Sequence, residues 1–259
     1  MAVTNFIQSI WSKKILDALE LECKLVDNCL REYEGDCKYA QSVKILGVGE
    51  PTIGDYTGAD ITIEDMSDEG QILTIDQAKY FAFYVDDVDK AQSVPGLPEE
   101  YQRKAVHGLA VARDTYVAGL IATGTNKTTV TMTEEGFKKG IDEAIVELRE
   151  RNFAEDGVIE ITPAGYNLFK NNLITLSTNN PEYIKKGIVG VYDGFDVIMS
   201  NNLQGAGCVR GKKAIAFAGQ LEKVEACRAE KRFADIVKGL DVYGAKVIDN
   251  DRMQVLVTA

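Results

Sequence analysis

His107 is the only histidine in this 259-residue chain. Imidazole is the commonest side chain for proton transfer near neutral pH, and here it has no second histidine for a metal and no nucleophile at a recognisable spacing. It reads as a packed or surface residue of a helix. GVGEPTIG, residues 47–54, opens like a dinucleotide loop. It lacks the third glycine at the right offset and runs into turn and strand instead of helix. A hairpin tip fits it better than a phosphate cradle. TGTNKTT, residues 123–129, holds Gly, Lys and Thr out of phosphate-loop order and follows a helix, so it reads as an inter-helix loop. Asp86, Asp87 and Asp89 cluster at a strand exit but lack the alternating ligands and glycine of a calcium loop. They read as the polar end of a strand. Glu64 and Asp65 are adjacent carboxylates in a chain rich in carboxylates, and nothing around them marks a catalytic pair. Cys23, Cys29, Cys37, Cys208 and Cys227 fit neither a C-x-x-C nor a zinc spacing and are expected to be free thiols. The sequence therefore points to no enzyme, no cofactor and no metal.

The net charge of −11 repels phosphate backbones, and Lys and Arg are nowhere gathered among aromatics. This argues against sequence-specific nucleic-acid binding, although such a surface suits a protein that lies beside nucleic acid without adhering. No apolar run reaches the ~18 residues of a membrane span, and the N-terminus lacks the pattern of a secretory signal. The expectation is a chain that stays in the cytosol where it is made.

The elements that must position these residues follow from periodicity. Residues 5–33 read as a helix with Ile7, Ile10, Trp11, Ile15, Leu19 and Val26 along one stripe. Residues 42–50 give a short strand before two glycines, residues 51–60 are turn chemistry, and residues 61–65 are a strand fragment. Leu73, Ile75, Phe81, Phe83 and Val85 then alternate with Thr74, Asp76, Tyr80 and Tyr84. Read as one strand, that is roughly 45 Å at ~3.3 Å per residue, about the width of a compact domain of this length. Paired with residues 43–48 it forms a long hairpin that needs something outside the chain to cover it.

Pro98, Glu99 and Glu100 open a helix to about residue 122, with Tyr101, Ala105, Leu109, Ala112, Tyr116 and Leu120 on its stripe. A second helix starts at the cap Thr133 and carries Phe137, Ile141, Ala144, Ile145 and Leu148, with Glu147 and Arg151 paired at i,i+4. Residues 158–162 form a strand, Pro163 begins a helix, and Asp193-Gly194 turns a hairpin. The last sixty or so residues are mostly strand, with Gly239 and Gly244 as bends.

The segments VKILGVGEPTIGDYTG, LTIDQAKYFAFYVDDVDKAQ, VIEITPAGYNLF, GFDVIMSNN and KRFADIVKGLDVYGAKVI, in this order of elements, resemble the major capsid (coat) proteins of tailed bacteriophages. The likeness extends over essentially the whole chain. It implies an α+β chain of the Hong Kong 97-type fold. Residues 1–40 would be an N-terminal arm, 41–85 an extended β-hairpin E-loop lying on the adjacent subunit, 86–131 with 205–259 a peripheral domain carrying a long spine helix, and 132–204 an axial domain.

The implied function is self-assembly, as pentamers and hexamers, into an icosahedral shell around double-stranded DNA. The alternative is an encapsulin-like compartment of the same fold enclosing cargo enzymes. Contacts between subunits are expected at the E-loop tip, Pro51, Thr52, Ile53, Gly54, Asp55 and Tyr56, and on the arm, Phe6, Ile7, Ile10 and Trp11. Some relatives cross-link through an E-loop lysine, but no lysine lies between Lys44 and Lys79 here, so cohesion should be non-covalent. The chain opens at the arm helix, which leads us to expect a separate scaffolding protein. The other implied partners are a portal protein and packaged DNA held without sequence-specific binding, with no membrane. The implied location is the virion, after assembly in the bacterial host cytoplasm.

Overall fold

In a computed structural model, residues 23–33, 42–45, 70–86, 97–153, 157–176, 190–229 and 233–259 are described. Strands β1 (Ser42–Ile45) and β2 (Gln71–Thr74) pair antiparallel, with Val43 opposite Leu73. β3 (Gln77–Asp86) leads to helix α1 (Leu97–Ala122), then β4 (Lys127–Val130) and helix α2 (Glu134–Glu150). β5 (Gly157–Ile161), helix α3 (Pro163–Leu176), β6 (Val191–Tyr192) and β7 (Phe195–Met199) follow. β8 (Gly207–Gly211), β9 (Ile215–Arg228), β10 (Ala234–Val247) and β11 (Met253–Thr258) complete the chain.

Local chemistry explains several elements. Thr133 caps α2 by accepting the Gly136 N–H through its hydroxyl at 3.2 Å, which satisfies one of the amide groups orphaned at a helix start. The apolar stripe predicted for α2 is its buried face, and Arg151 pairs with Glu147 at 3.6 Å. Asp193 (φ 49°) and Gly194 (φ 85°) both occupy the left-handed region, as a two-residue hairpin turn between right-twisting strands requires.

The six-stranded sheet has the order β4-β11-β8-β5-β7-β6. One face packs on α2 and α3 through Phe137, Ile145, Phe169, Ile159, Ile161 and Val209. Its other face lies on α1 through Cys208, Met253 and Val255, against Val117, Ala118 and Ile121. The second sheet, β3-β10-β9, is antiparallel throughout. Phe81, Phe83 and Val85 on its inner face join the α1 core. At the base of its outer face, Ala216 and Ala218 carry the β1–β2 pair through Val43, Ile45 and Leu73.

Five expectations need correction. Within the proposed helix 5–33, residues 23–33 contain a single 3₁₀ turn, Val26–Asn28, and Leu30 bridges to Ala216 of β9. Side chains of the body hold this backbone, which overrides the helical stripe; residues 5–22 lie outside the described residues. The long strand 72–85 is two strands broken at Ile75 and Asp76. Its second half pairs along ten positions with β10 of its own chain, not with residues 43–48. Residues 127–130 form the strand β4, parallel to β11, so TGTNKTT is only partly a loop. The buried stripe of α1 runs Val106, Leu109, Ala110, Arg113, Asp114, Val117, Ala118 and Ile121, rotated from the expected one because Arg113, paired with Asp241, and Asp114, bonded to backbone amides of residues 24–26, occupy its centre. Gly239 and Gly244 lie inside β10, not at bends. A Cβ at 239 would strike the Phe81 ring at 2.4 Å, and one at 244 would strike the Thr74 carbonyl oxygen at 2.1 Å. Both positions serve close approach.

Candidate functional site

Among the described residues no helix is long and apolar enough to cross a membrane, and no group of three or more His, Cys, Asp or Glu could hold a metal ion. His107 is exposed on α1. Cys23, Cys29 and Cys208 are free and buried, while Cys227 is free and exposed. Burial pushes the Cys29 thiol up to about 11 and that of Cys23 up to about 12, the latter with help from Asp114, and Cys208 higher still. Thiols so shifted are poor nucleophiles, because the thiolate is the reactive form.

The feature that stands out lies on the outer side of the β3-β10-β9 sheet. Strand alternation sends Phe81, Phe83 and Val85 inward and Tyr80, Ala82 and Tyr84 outward. The register sets Tyr80 opposite Leu240, Ala82 opposite Lys238 and Tyr84 opposite Ile236. Tyr80 is 80% exposed and Tyr84 57% exposed, with Ile236 and Leu240 half-buried beside them. One ion pair crosses the patch, Lys238 Nζ to Glu225 at 3.1 Å. Between Tyr80, Phe81, Lys238 and Gly239 the surface dips into a cleft of about 300 Å³; the absent Cβ of Gly239 leaves room for the Phe81 ring beneath. At the distal end, Phe233 is 82% exposed just before β10. Exposed apolar area of this kind, bordered by charge, is what a docking surface for another macromolecule presents.

The face is held rigid from behind. Arg113 of α1 donates through Nε and Nη2 to both carboxylate oxygens of Asp241 on β10, the first at 2.9 Å. The guanidinium lies 5.7 Å from the Phe217 ring centre and 5.9 Å from that of Tyr243. Burial raises the Tyr243 phenol to about 12, with Asp241 adding to the shift. Phe83 packs on Tyr101 with ring centres 5.7 Å apart, so the inner aromatics of β3 seat on α1 while the outer ones face solvent.

Of the residues expected to make contacts, Phe6, Ile7, Ile10 and Trp11 lie outside the described residues, as do Pro51, Thr52, Ile53, Gly54, Asp55 and Tyr56, and Asp87 and Asp89 of the acidic cluster. Both ends of the segment 41–85 rest on its own subunit: Val43, Ile45 and Leu73 on β9, Ile72 and Thr74 beside Lys246 and Gly244 of β10, and 77–86 paired with β10. The sequence reading missed the outer face. Its signal was present, because a strand with Tyr, Ala and Tyr on the supposedly solvated side is apolar on both faces.

No family model matches the sequence, and no curated protein matches it. Solved structures do. One from Mycobacterium phage Che8 superposes with a TM-score of 0.79 at 27% identity, covering 90% of this chain and 90% of that one. The capsid structure of the cyanophage P-SCSP1u gives 0.74 at 18% identity, covering 89% and 86%. A virus-like particle from Pyrococcus furiosus gives 0.62 at 13% identity, covering 96% and 99%.

Proposed function

We propose that this chain, whose fold is shared with a structure from Mycobacterium phage Che8 and with the capsid structure of a cyanophage, is a tailed-phage major capsid protein that assembles as pentamers and hexamers into a closed icosahedral shell around double-stranded DNA. The carrying observation is the outer face of the β3-β10-β9 sheet, where Tyr80 and Tyr84 stand in solvent on a rigid, charge-bordered apolar surface. A second copy of the chain is the partner available in high number, and repeated head-to-tail contact between copies closes into rings.

In this reading the protein is structural, not catalytic. The Hong Kong 97-type organisation of arm (1–40), E-loop (41–85), peripheral domain (86–131 and 205–259) and axial domain (132–204) describes its parts. Because the backbone of 42–45 and 71–86 is held within its own subunit, the part of the E-loop that extends across a neighbour is residues 46–69, which include the tip residues 51–56, while Tyr80 and Tyr84 offer their outer face to a neighbour from the sheet. Phe6, Ile7, Ile10 and Trp11 make the second grip. A separate scaffolding protein and a portal protein complete assembly in the bacterial cytoplasm, and the product is the virion. The net charge of −11 keeps the packaged DNA from adhering.

Shortening residues 51–60 tests the reading. Sedimentation should find a folded subunit that no longer assembles, and normal assembly would remove the tip from the contacts. The match to the Pyrococcus furiosus particle supports a second reading, a compartment for cargo proteins. Shells isolated from the native source with DNA inside favour the first, and shells holding protein but no DNA favour the second.

A further inference from the structure

Residues 23–30 pass through the junction between the two sheets as a short piece of backbone held mainly by side chains. At the leading end of the Val26–Asn28 turn, the Asp114 carboxylate on α1 accepts three amide protons, from Lys24 at 3.0 Å, Leu25 at 3.1 Å and Val26 at 3.3 Å. Arg210 on β8 serves the other end. It donates to the Asn28 carbonyl at 2.7 Å and the Leu25 carbonyl at 3.1 Å while holding Glu160 of β5 at 2.7 and 2.9 Å.

A distant acid thus caps the N–H end of the turn and a distant base caps its C=O end, each an arrangement that stabilises exposed backbone termini. Internal bonds complete the unit. Asn28 Nδ2 donates to the Lys24 carbonyl at 2.8 Å and the Cys29 amide to that of Val26 at 3.0 Å. Only Leu30 joins a strand, exchanging backbone bonds of 2.9 Å with Ile215 and Phe217.

The segment spans the junction. Asp114 and β9 belong to the layer of α1 and the three-stranded sheet, whereas Arg210 and Glu160 belong to the six-stranded sheet, as does Met199, whose carbonyl accepts from Lys24 Nζ at 3.4 Å. Cys23, Leu25, Val26 and Cys29 fill the apolar space between the two. Removing the segment leaves Arg210 its Glu160 partner but strips Asp114, 3% exposed, of its three amide donors. A carboxylate that loses its donors while still buried is costly, which disfavours partly undocked states.

We propose that residues 23–30 form a releasable strap that locks the six-stranded sheet to the α1 layer, with Asp114 as its latch, and that it opens as one unit before the rest of the subunit unfolds. The structural part of this inference is independent of the shell. If residues 1–22 grip a neighbour, as the capsid reading holds, the strap is the link through which that grip reaches the junction.

The thiols supply the test. Cys23 and Cys29 lie within the strap, Cys208 is buried on β8 of the six-stranded sheet, and Cys227 is exposed. The purified full-length chain is treated with N-ethylmaleimide in urea below the global transition, and labelling is read peptide by peptide. Opening of a sub-global unit predicts that Cys227 reacts at once, that Cys23 and Cys29 share one rate at least about tenfold above that of Cys208, and that Asp114→Asn raises their rate without moving Cys208. A single common rate for Cys23, Cys29 and Cys208, in wild type and variant alike, overturns the proposal, and so do different rates for Cys23 and Cys29. If the variant does not fold, the wild-type order decides alone. Loss of assembly in a loop-shortened chain leaves this labelling order untouched, so the two readings fail separately.

Discussion

Replacing Tyr80 and Tyr84 together by serine removes the aromatic part of the outer sheet face while leaving the subunit intact. An aromatic side chain offers roughly 200 Å². At 80% and 57% exposure, Tyr80 and Tyr84 therefore present roughly 160 and 110 Å² to a partner. At about 25 cal/mol per Å², complete coverage would contribute about 7 kcal/mol per subunit. A contact covering half of that area contributes about 3.5 kcal/mol, and with about 1.4 kcal/mol per decade its loss weakens each contact roughly 300-fold. Light scattering across a dilution series reads the concentration at which particles form, which should rise by about two orders of magnitude. Urea unfolding of the subunit should change by less than about 0.5 kcal/mol, as for surface substitutions. Unchanged assembly by a folded double variant would refute the assignment of this face.

Arg113→Met strands the buried Asp241 carboxylate and should cost about 3–5 kcal/mol in urea unfolding, whereas Arg113→Met with Asp241→Leu should recover most of it; equal losses in both would show that the charge pair is not what matters. Gly244→Ala drives a methyl into the Thr74 carbonyl and should destabilise by about 1–3 kcal/mol, read in the same assay; a neutral result would mean that β2 can move away from β10. Burial pushes the Cys29 thiol from the ordinary 9.0 up to about 11, so above pH 9 the unfolded chain releases its proton first. Stability present below pH 9 is therefore lost as pH rises toward 11, by about 1.4 kcal/mol per unit for this group. Cys29→Ala should flatten the pH dependence of urea unfolding by that amount over this window, and an unchanged slope would contradict the buried, protonated thiol.

What could be read from the sequence was local. The Thr133 cap, the Asp193-Gly194 turn and the stripe of α2 each depend on residues within a few positions of one another, and the structure contains all three. Pairing over long separations was not legible. Nothing in residues 77–86 says that their partner is 234–243, so an alternation that skipped its break at Ile75 and Asp76 became one projecting strand. Charged core residues misled in a second way. Arg113, Asp114, Glu160 and Arg210 look like surface positions because their burial depends on distant partners. That hid both the true stripe of α1 and the side-chain clamp that keeps residues 23–30 out of a helix. The candidate site was missed for a related reason: outward tyrosines were counted as the polar half of an alternation, although a phenol ring is largely apolar surface.

Electron microscopy of the purified full-length chain, carried to a reconstruction that resolves side chains, tests the central claim most directly. The account predicts closed icosahedral particles in which Tyr80 and Tyr84 of each subunit are buried against a neighbouring copy. Isolated subunits, or particles in which that face remains in solvent, would contradict it.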